Sequence, residues 1–286
     1  MAWTRIICVM GLILCTSACS VKFAYNNVDR LVRWQMSDYL DLNNAQRDLL
    51  DTQIEAFMAW HRREHLPEYA VFVESLATQW SDGVSEAQIE SLFEQMFIWG
   101  EDIQDQGLPA AIMLMQSLTD EQLAALPERL EKSNQEIAED ELGVALDKVQ
   151  EAWAEDFADG LERFTGRLLK PQREYLSRRA TAYQPERVLW ADYRRRFQAD
   201  MMQLLVRRHE PEFDLEFRRL NAARESYYGE EFTRVSDQNI ALSREIASYI
   251  LSNLTEKQSE RLKDALLDLA RDFQELAAQA QPADAA

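Results

Sequence analysis

The sequence predicts an all-α protein, built as an elongated bundle or array of antiparallel helices. Apolar residues recur at intervals of three and four along most of the chain, which is typical of amphipathic helices. No stretch alternates apolar and polar residues with a β-branched bias, and 8 Gly and 7 Pro among 286 residues are too few for a turn-rich β-sandwich. Since 47% of the residues are hydrophobic, the chain can bury a core and lacks the composition of a disordered protein.

Residues 1–18 have the composition of a signal peptide. A short segment carrying Arg5 precedes the apolar run Ile6–Leu14, and small residues lead up to Cys19. A membrane-spanning helix needs about 20 apolar residues, so this run is too short to be one. We expect the leader to be cleaved.

Cys19 would be the only cysteine of the processed chain, because Cys8 and Cys15 leave with the leader. A lone cysteine after a small-residue cleavage site resembles a bacterial lipobox, and Ser20 resembles an outer-membrane sorting signal. Acyl chains on Cys19 would hold the protein stably at a membrane, at about 0.8 kcal/mol per buried CH₂ group. The alternative is an ordinary secretory signal followed by an unmodified thiol.

These residues predict a lipoprotein on the periplasmic face of the outer membrane of a Gram-negative bacterium. The covalent lipid on Cys19 is the only non-protein group that we expect, and residues 19–27 would form the tether. The folded part, expected to be one domain over residues 28–276, would contain no disulfide because no cysteine follows Cys19. Residues 277–286 are of low complexity and are expected to be disordered.

Helix starts are marked by a repeated capping pattern. An aliphatic residue, a polar cap residue, two further residues and a glutamine recur, and in a capping box the glutamine reaches back to the amide of the cap residue. The four copies are Leu42–Gln46, Val84–Gln88, Leu118–Gln122 and Leu254–Gln258. A degenerate fifth copy, Leu168–Gln172, has Leu169 at the cap position and Pro171 in the first turn of its helix.

Helix boundaries are expected at the remaining Gly and Pro residues, because both disfavour a helix interior. These residues are Pro67, Gly83, Gly107 with Pro109, Gly143, Pro185, Pro211 and Gly229. Together with the periodicity, they divide roughly three-quarters of the processed chain into helices.

The net charge of -19 disfavours nucleic-acid binding, since phosphate contacts need a cationic face. Residues 19–162 carry 9 Lys and Arg against 30 Asp and Glu, whereas residues 163–286 carry 21 against 20. The domain therefore divides into an acidic half, residues 28–162, and a more basic half, residues 163–276.

The candidate contact surface is the basic strip Arg163–Arg224, and nine arginines, which we call the arginine strip, supply most of its positive charge. They are Arg178, Arg179, Arg194, Arg195, Arg196, Arg207, Arg208, Arg218 and Arg219. They could pair with carboxylates inside the molecule, bind anionic lipid headgroups or lipopolysaccharide phosphates, or dock a protein. Guanidinium groups pair bidentately with carboxylates and phosphates alike, so the sequence leaves these alternatives open.

One motif could be catalytic, because His61-Arg62-Arg63-Glu64-His65 matches H-x-x-E-H. Two histidines four residues apart share a helix face and could bind Zn²⁺, while Glu64 acts as a general base in a zinc-dependent hydrolase. In the structural alternative, which we favour, His61 lies on an apolar stripe. His65 then stabilises the end of a helix that bends near Pro67.

No Gly-rich phosphate loop, G-x-S-x-G or C-x-x-C motif occurs in the sequence, so no further catalytic or metal-binding residue is predicted. The numerous carboxylates are explained by charged helix surfaces. Six tryptophans are expected in the core rather than in a ligand cage: Trp34, Trp60, Trp80, Trp99, Trp153 and Trp190.

The chain resembles a family of uncharacterised, all-helical proteobacterial lipoproteins. The likeness is carried by Cys19-Ser20, Tyr25-Asn26-Asn27, Leu42 with Gln46, Trp60 to Arg63 with Leu66-Pro67, and Leu254-Thr255 with Gln258. The resemblance covers nearly the whole processed chain. It implies an all-helical lipoprotein of unknown function and supplies no catalytic residues.

A looser similarity is to the periplasmic stress chaperones that carry L-T-x-x-Q motifs, which Leu118–Gln122 and Leu254–Gln258 match literally. Those chaperones are small helical dimers that cradle unfolded clients on a concave, partly basic surface. We therefore expect a non-catalytic binding, chaperone-like or scaffolding protein. Its expected partners are the inner leaflet of the outer membrane and an envelope protein or anionic lipid, and no nucleic acid.

Overall fold

The computed structural model describes residues 18–80 and 83–280, with side chains described from residue 21 onward. This part of the chain contains α-helices, one short 3-10 helix and no strand, which confirms the all-α prediction. None of these helices is both long enough and apolar enough to cross a bilayer. Leader residues 1–17, the side chain of Cys19 and tail residues 281–286 lie outside the described part.

Eleven α-helices follow one another in the described residues. They are α1 (Ala18–Tyr25), α2 (Val28–Ser37), α3 (Asn44–Gln79), α4 (Glu86–Gln116), α5 (Asp120–Glu139), α6 (Leu146–Thr165), α7 (Lys170–Ala180), α8 (Arg187–Val206), α9 (Phe213–Ala222), α10 (Glu230–Ser252) and α11 (Glu256–Ala277). The 3-10 helix, Arg224–Tyr227, lies between α9 and α10.

The four predicted capping boxes form. The side chain of Asn43 accepts a hydrogen bond from the amide of Gln46, whose own side chain accepts from the amide of Asn43, both at 3.0 Å. The same arrangement caps α4, α5 and α11, at Ser85, Thr119 and Thr255. Helix α7 differs because Leu169 has no side-chain acceptor. Only half of the box remains there, in which Gln172 accepts from the Leu169 amide at 2.7 Å.

Loops and helix ends occur at most of the predicted boundaries, namely Gly83, Gly143, Pro185, Pro211 and Gly229. The predicted boundaries at Pro67 and at Gly107 with Pro109 are wrong, because these residues lie inside α3 and α4. A proline in a helix interior costs about 3 kcal/mol. The adjacent Leu66 and the nearby Ala70 are each 1% exposed. Burial of this part of α3 therefore offsets the cost of Pro67.

The largest apolar cluster lies where α3 packs along α11. Its central members are Leu66, Tyr69, Val73, Leu262, Leu266, Leu269 and Phe273. A second cluster joins α4, α5, α8 and α9 through Ile112, Leu126, Leu205 and Phe213. A third joins α6, α7 and α10 through Ala158, Leu176, Ile246 and Ile250.

Two pairs of helix N-termini meet through their capping glutamines. In the first junction, between α3 and α5, Gln46 Nε2 donates to the carbonyl of Ser117 at 2.8 Å. Reciprocally, Gln122 Nε2 donates to the carbonyl of Asp41 at 2.7 Å. The two glutamine side chains also bond each other in both directions, at 2.8 and 2.9 Å.

The second junction, between α7 and α11, repeats this arrangement. Gln172 Nε2 donates to the carbonyl of Asn253 at 2.9 Å, and Gln258 Nε2 donates to the carbonyl of Arg167 at 3.2 Å. Their side-chain amides bond each other at 3.1 and 3.3 Å. Glutamines that the sequence marks as local capping residues therefore also join helices that are distant in the chain.

The segment expected to be a tether, residues 19–27, is largely folded onto the body. Val21 and Tyr25 are 3% and 4% exposed. Lys22 Nζ lies 3.1 Å from Asp272 and 2.6 Å from Glu275, both on α11. The expected tether therefore forms part of the folded body, because Val21 and Tyr25 extend toward the N-terminus the apolar face predicted to begin at residue 28.

Candidate functional site

The histidines of the H-x-x-E-H motif lie well inside α3, not near a helix end. His61 and His65 are 9% and 6% exposed, and their rings stack with centroids 5.5 Å apart. The prediction that His61 lies on an apolar stripe is confirmed. The prediction that His65 stabilises a helix terminus is wrong, because α3 continues through Pro67 to Gln79.

Both histidines are hydrogen-bonded to buried tyrosines. The Tyr25 hydroxyl and His61 Nδ1 lie 2.9 Å apart, which links α1 to α3. The Tyr69 hydroxyl lies 3.2 Å from His65 Nδ1. Burial lowers the pKa of His61 to about 3, with smaller contributions from the nearby His65 and Arg62, so its imidazole is neutral at physiological pH.

Glu64 does not join the two histidines. Its carboxylate is exposed and lies 2.7 Å from Nε of the neighbouring Arg63. A shallow depression of about 500 Å³ borders His65 and Glu64 and is also lined by Trp60, Asp102, Asp105 and Gln106. Within residues 18–80 and 83–280, no three His, Cys, Asp or Glu side chains are grouped so that they could hold a metal ion. The zinc-hydrolase alternative therefore gains no geometric support.

The histidines instead belong to an aromatic cluster between α1, α3, α4 and α11. The rings of Trp60 and His65 lie 4.5 Å apart, and those of Tyr69 and Trp99 lie 4.3 Å apart. Trp99 Nε1 donates to the Glu68 carboxylate at 2.9 Å. Such packing is typical of a structural core.

The tryptophan predictions hold with one exception. Trp80 and Trp99 are buried, and Trp60, Trp153 and Trp190 are partly buried. Trp34, on α2, is 63% exposed, so its assignment to the core is wrong.

Two members of the arginine strip are buried, and their inclusion in a contact surface is wrong. Arg194 is 3% exposed and donates to Asn134 Oδ1 at 2.7 Å and to Ser133 Oγ at 3.2 Å. Arg208 is 5% exposed and donates to the carbonyl of Leu118 at 2.7 Å. Charge counts along the sequence cannot distinguish such arginines from surface ones.

Most of the remaining arginines are paired within the molecule. Arg179 forms a bidentate pair with Glu245 at 2.7 Å, which lowers the pKa of that carboxyl group. Three more arginines form ion pairs with carboxylates: Arg195 with Glu131, Arg207 with Glu216, and Arg218 with Asp214. Arg196 instead donates hydrogen bonds to the backbone carbonyls of Tyr227 and Tyr228. The Arg178 guanidinium lies over the Tyr175 ring, and Arg219 is exposed. Intramolecular pairing therefore accounts for much of the strip.

A cationic groove of about 690 Å³ lies where α6 leads into α7. Its lining residues are Arg167, Leu168, Leu169, Lys170, Arg173, Glu174, Ser177 and Arg178. Arg173 is held by Glu162 at 2.5 Å, and Lys170 lies 3.7 Å from Glu174. The wall thus combines four cationic side chains with Leu169, which is 45% exposed.

Of the groove's cations, only Arg178 belongs to the arginine strip. Arg167, Lys170 and Arg173 lie within the basic strip Arg163–Arg224 but were not singled out, because none of them lies in an arginine pair or triplet. The available signal was Leu169, which occupies a cap position where the equivalent helices have Asn, Ser or Thr. The groove can bind a partner that presents both negative charge and an apolar side chain.

Comparison with known proteins identifies a family and no characterised relative. No curated protein and no solved structure matches the chain. A family model does match residues 38–233, a span that includes the histidines and the cationic groove but neither α1 nor α11. The chain therefore belongs to the family of unknown function DUF6279.

Proposed function

We propose that the protein is a non-catalytic lipoprotein, anchored through Cys19 to the periplasmic face of a Gram-negative outer membrane, that docks an envelope protein in the cationic groove. The leader, Cys19 and Ser20 support the anchoring part of the proposal. The observation that carries the docking part is the placement of α1 and the groove at opposite ends of α11.

Helix α1 and the groove lie at opposite ends of α11. Lys22 of α1 contacts Asp272 and Glu275 near the C-terminal end of α11. The groove lies next to the second junction, where Gln258 bonds Gln172 near the N-terminal end of α11. From Gln258 to Glu275 the helix rises about 25 Å, at 1.5 Å per residue.

This separation favours a protein over a lipid headgroup as the occupant of the groove. If α11 stands away from the membrane that holds α1, the groove lies more than a Debye length, about 8 Å at physiological salt, from the headgroups of that membrane. An acidic peptide segment with one apolar side chain fits the lining. Guanidinium and ammonium groups would hold its carboxylates, while the exposed Leu169 receives the apolar side chain.

The chaperone-like alternative has less support. The glutamines of both literal L-T-x-x-Q motifs, Gln122 and Gln258, are engaged in the junctions. In this chain the motif therefore has a structural use that needs no client.

The anchoring part is tested by metabolic labelling with an alkyne-bearing fatty acid. Wild type and Cys15→Ser, a matched control in the leader, are expected to carry the label. Cys19→Ser is expected to carry none. Equal labelling of all three chains, or of none of them, would refute anchoring through Cys19.

The docking part is tested by photo-crosslinking in cells from position 177, which lines the groove, with exposed position 135 of α5 as the control site. A protein adduct through an acidic segment is expected only from position 177. The double variant Arg167→Glu/Lys170→Glu should abolish it, whereas Arg234→Glu, an exposed charge on α10, should not. Adducts that persist in the double variant, or that contain lipid, would reject the proposal.

A further inference from the structure

Helices α1 and α2 expose three large apolar side chains. Phe23 is 67% exposed, Leu31 39% and Trp34 63%. A turn at Asn26 and Asn27 separates the two helices, where the Asn27 amide donates to the carbonyl of Ala24, three residues back. Leu31 and Trp34 are three residues apart and therefore lie on one side of α2, while Phe23 is the exposed apolar residue of the adjoining α1.

The other side of the same segment is packed into the body. Val21 and Tyr25 belong to the core cluster formed by α3 and α11, and Val28 packs against it. The segment is therefore apolar on two sides, and only one of them has a partner within the described residues. An outward face with two aromatic rings and a leucine indicates contact with something outside the chain.

The position of this face points to a membrane as its occupant. Residue 19, where the proposed lipid is attached, lies in α1 one helical turn before Phe23. Acyl chains inserted in a bilayer from residue 19 would place Phe23, one helical turn away, in the headgroup region. Tryptophan and other amphipathic aromatic residues prefer this region, where one part of the ring is in apolar and another in polar surroundings.

The charges of α2 fit the same surface. Arg30 is exposed next to Leu31 and can reach an anionic headgroup. The nearby Asp29 carboxylate lies 3.1 Å from Arg33, which reduces its repulsion of such a headgroup. We propose that the face formed by Phe23, Leu31 and Trp34 lies in the interfacial layer of the membrane that holds Cys19, so that α1 and α2 fix the orientation of the body. This inference depends on the proposed lipid anchor.

Trp34 provides the measurement, because it is the only tryptophan classed as exposed among the described residues. The lipidated full-length protein is reconstituted in vesicles of phosphatidylethanolamine and phosphatidylglycerol, with and without brominated acyl chains. Bromine quenches tryptophan fluorescence only at close range. Wild type should be quenched, and Trp34→Phe should lose most of that quenching, whereas the matched variant Trp60→Phe should retain it.

A second variant keeps the reporter and removes its apolar neighbours. Phe23→Ser/Leu31→Ser should reduce the quenching of Trp34, while Leu142→Ser, at an exposed leucine between α5 and α6, should not. Circular dichroism checks that each variant is folded.

Three results would overturn the inference. If the acylated protein stays on the vesicles but Trp34 is not quenched, the anchor is retained and the interfacial face is rejected. If Trp34 is shielded from aqueous iodide yet not quenched by bromine, a protein or a second copy of the chain covers the face. If mass spectrometry finds Cys19 unmodified, the lipid anchor fails and the inference fails with it.

Discussion

The two glutamine junctions have the same hydrogen-bond pattern but differ at one cap residue. In both, each capping glutamine donates to a carbonyl five residues before its partner glutamine. The first junction has cap residues with side-chain acceptors on both helices, Asn43 and Thr119. The second has Thr255 on α11 but Leu169 on α7.

The second junction therefore lacks one stabilising side-chain cap that the first junction has. A missing polar cap costs about 0.5–2 kcal/mol. The backbone of Leu169 has nevertheless kept the extended conformation of a cap residue, with φ -74° and ψ 159° against -72° and 160° at Thr255. Its side chain lines the cationic groove instead. Local rules tend to be broken at functional sites, and here the broken rule exposes a leucine in the proposed docking surface.

The largest expected effect comes from removing one glutamine of either junction. Gln46→Ala and Gln172→Ala each leave a part-buried backbone carbonyl and the partner glutamine's side-chain amide without their hydrogen bonds. We expect losses of about 2–4 kcal/mol in the free energy of unfolding, measured by urea denaturation. Gln46→Ala should cost more, because the side-chain bonds of the first junction are shorter, at 2.8–2.9 Å against 3.1–3.3 Å.

Double variants test whether each junction is one unit. The losses from Gln46→Ala and Gln122→Ala should be less than additive, because both variants break the same bonds. The losses from Gln46→Ala and Gln172→Ala should add, because these residues share no partner. Additive losses within one junction would show that the glutamines act only as local caps.

A pH series separates the junctions, whose amides do not titrate, from the histidine cluster. The pKa of His61 is lowered to about 3, so below pH 6 the unfolded chain binds one more proton than the folded chain. Stability should fall as the pH is lowered, by about 1.4 kcal/mol per pH unit from this group. The measurement is urea denaturation at pH 4, 5 and 6.

The controls compare slopes and not absolute stabilities. Between pH 6 and pH 4, the free energy of unfolding of His61→Gln should fall by about 1.4 kcal/mol less per pH unit than that of wild type. The free energy of unfolding of Gln46→Ala should be lower than that of wild type but should change with pH at the same rate. A His61→Gln curve parallel to wild type would mean that His61 is protonated in the folded protein.

The smallest expected effect is a gain in stability. Leu169→Thr should restore the missing acceptor for the amide of Gln172 and raise the free energy of unfolding by about 0.5–1 kcal/mol. The same substitution should weaken crosslinking from position 177, because the groove loses its exposed leucine. If Leu169 serves docking at the expense of the helix cap, Leu169→Thr should make the protein more stable and its docking weaker.

Thr255→Leu is the mirror-image control in the other helix of that junction. It should destabilise the protein by a similar amount and leave crosslinking from position 177 intact. If Leu169→Thr stabilises the protein and crosslinking is unchanged, the difference between the junctions has no bearing on docking.

Local chemistry predicted the helix starts, whereas tertiary packing decided where helices continue. The capping boxes at Asn43, Ser85, Thr119 and Thr255 were readable because each involves backbone and side chains within one turn. Pro67 misled the prediction because the burial that offsets its cost comes from packing against other helices. The same applies to the start of the folded body, since α1 is held by contacts from Tyr25 to His61 and from Lys22 to Asp272.

In the candidate sites, too, the sequence predicted local features but not the contacts between distant residues. The sequence marked Gln46 and Gln122 as caps but could not pair them, because their bond spans 76 residues. Clustered arginines appeared to be a contact surface, yet Arg194 and Arg208 are buried and most others meet a carboxylate. Arg167, Lys170 and Arg173 lie in the predicted basic strip, but the sequence did not show that they line a groove with Leu169.

The mass of the N-terminal peptide tests most directly whether the folded body begins at a lipid anchor. The protein is extracted from membranes, digested, and its first peptide identified by mass spectrometry. We predict a peptide that begins at Cys19 and carries acyl chains, so that the lipid is attached within α1 and two residues before the buried Val21. A first peptide that begins elsewhere, or a Cys19 without acyl chains, would contradict this account.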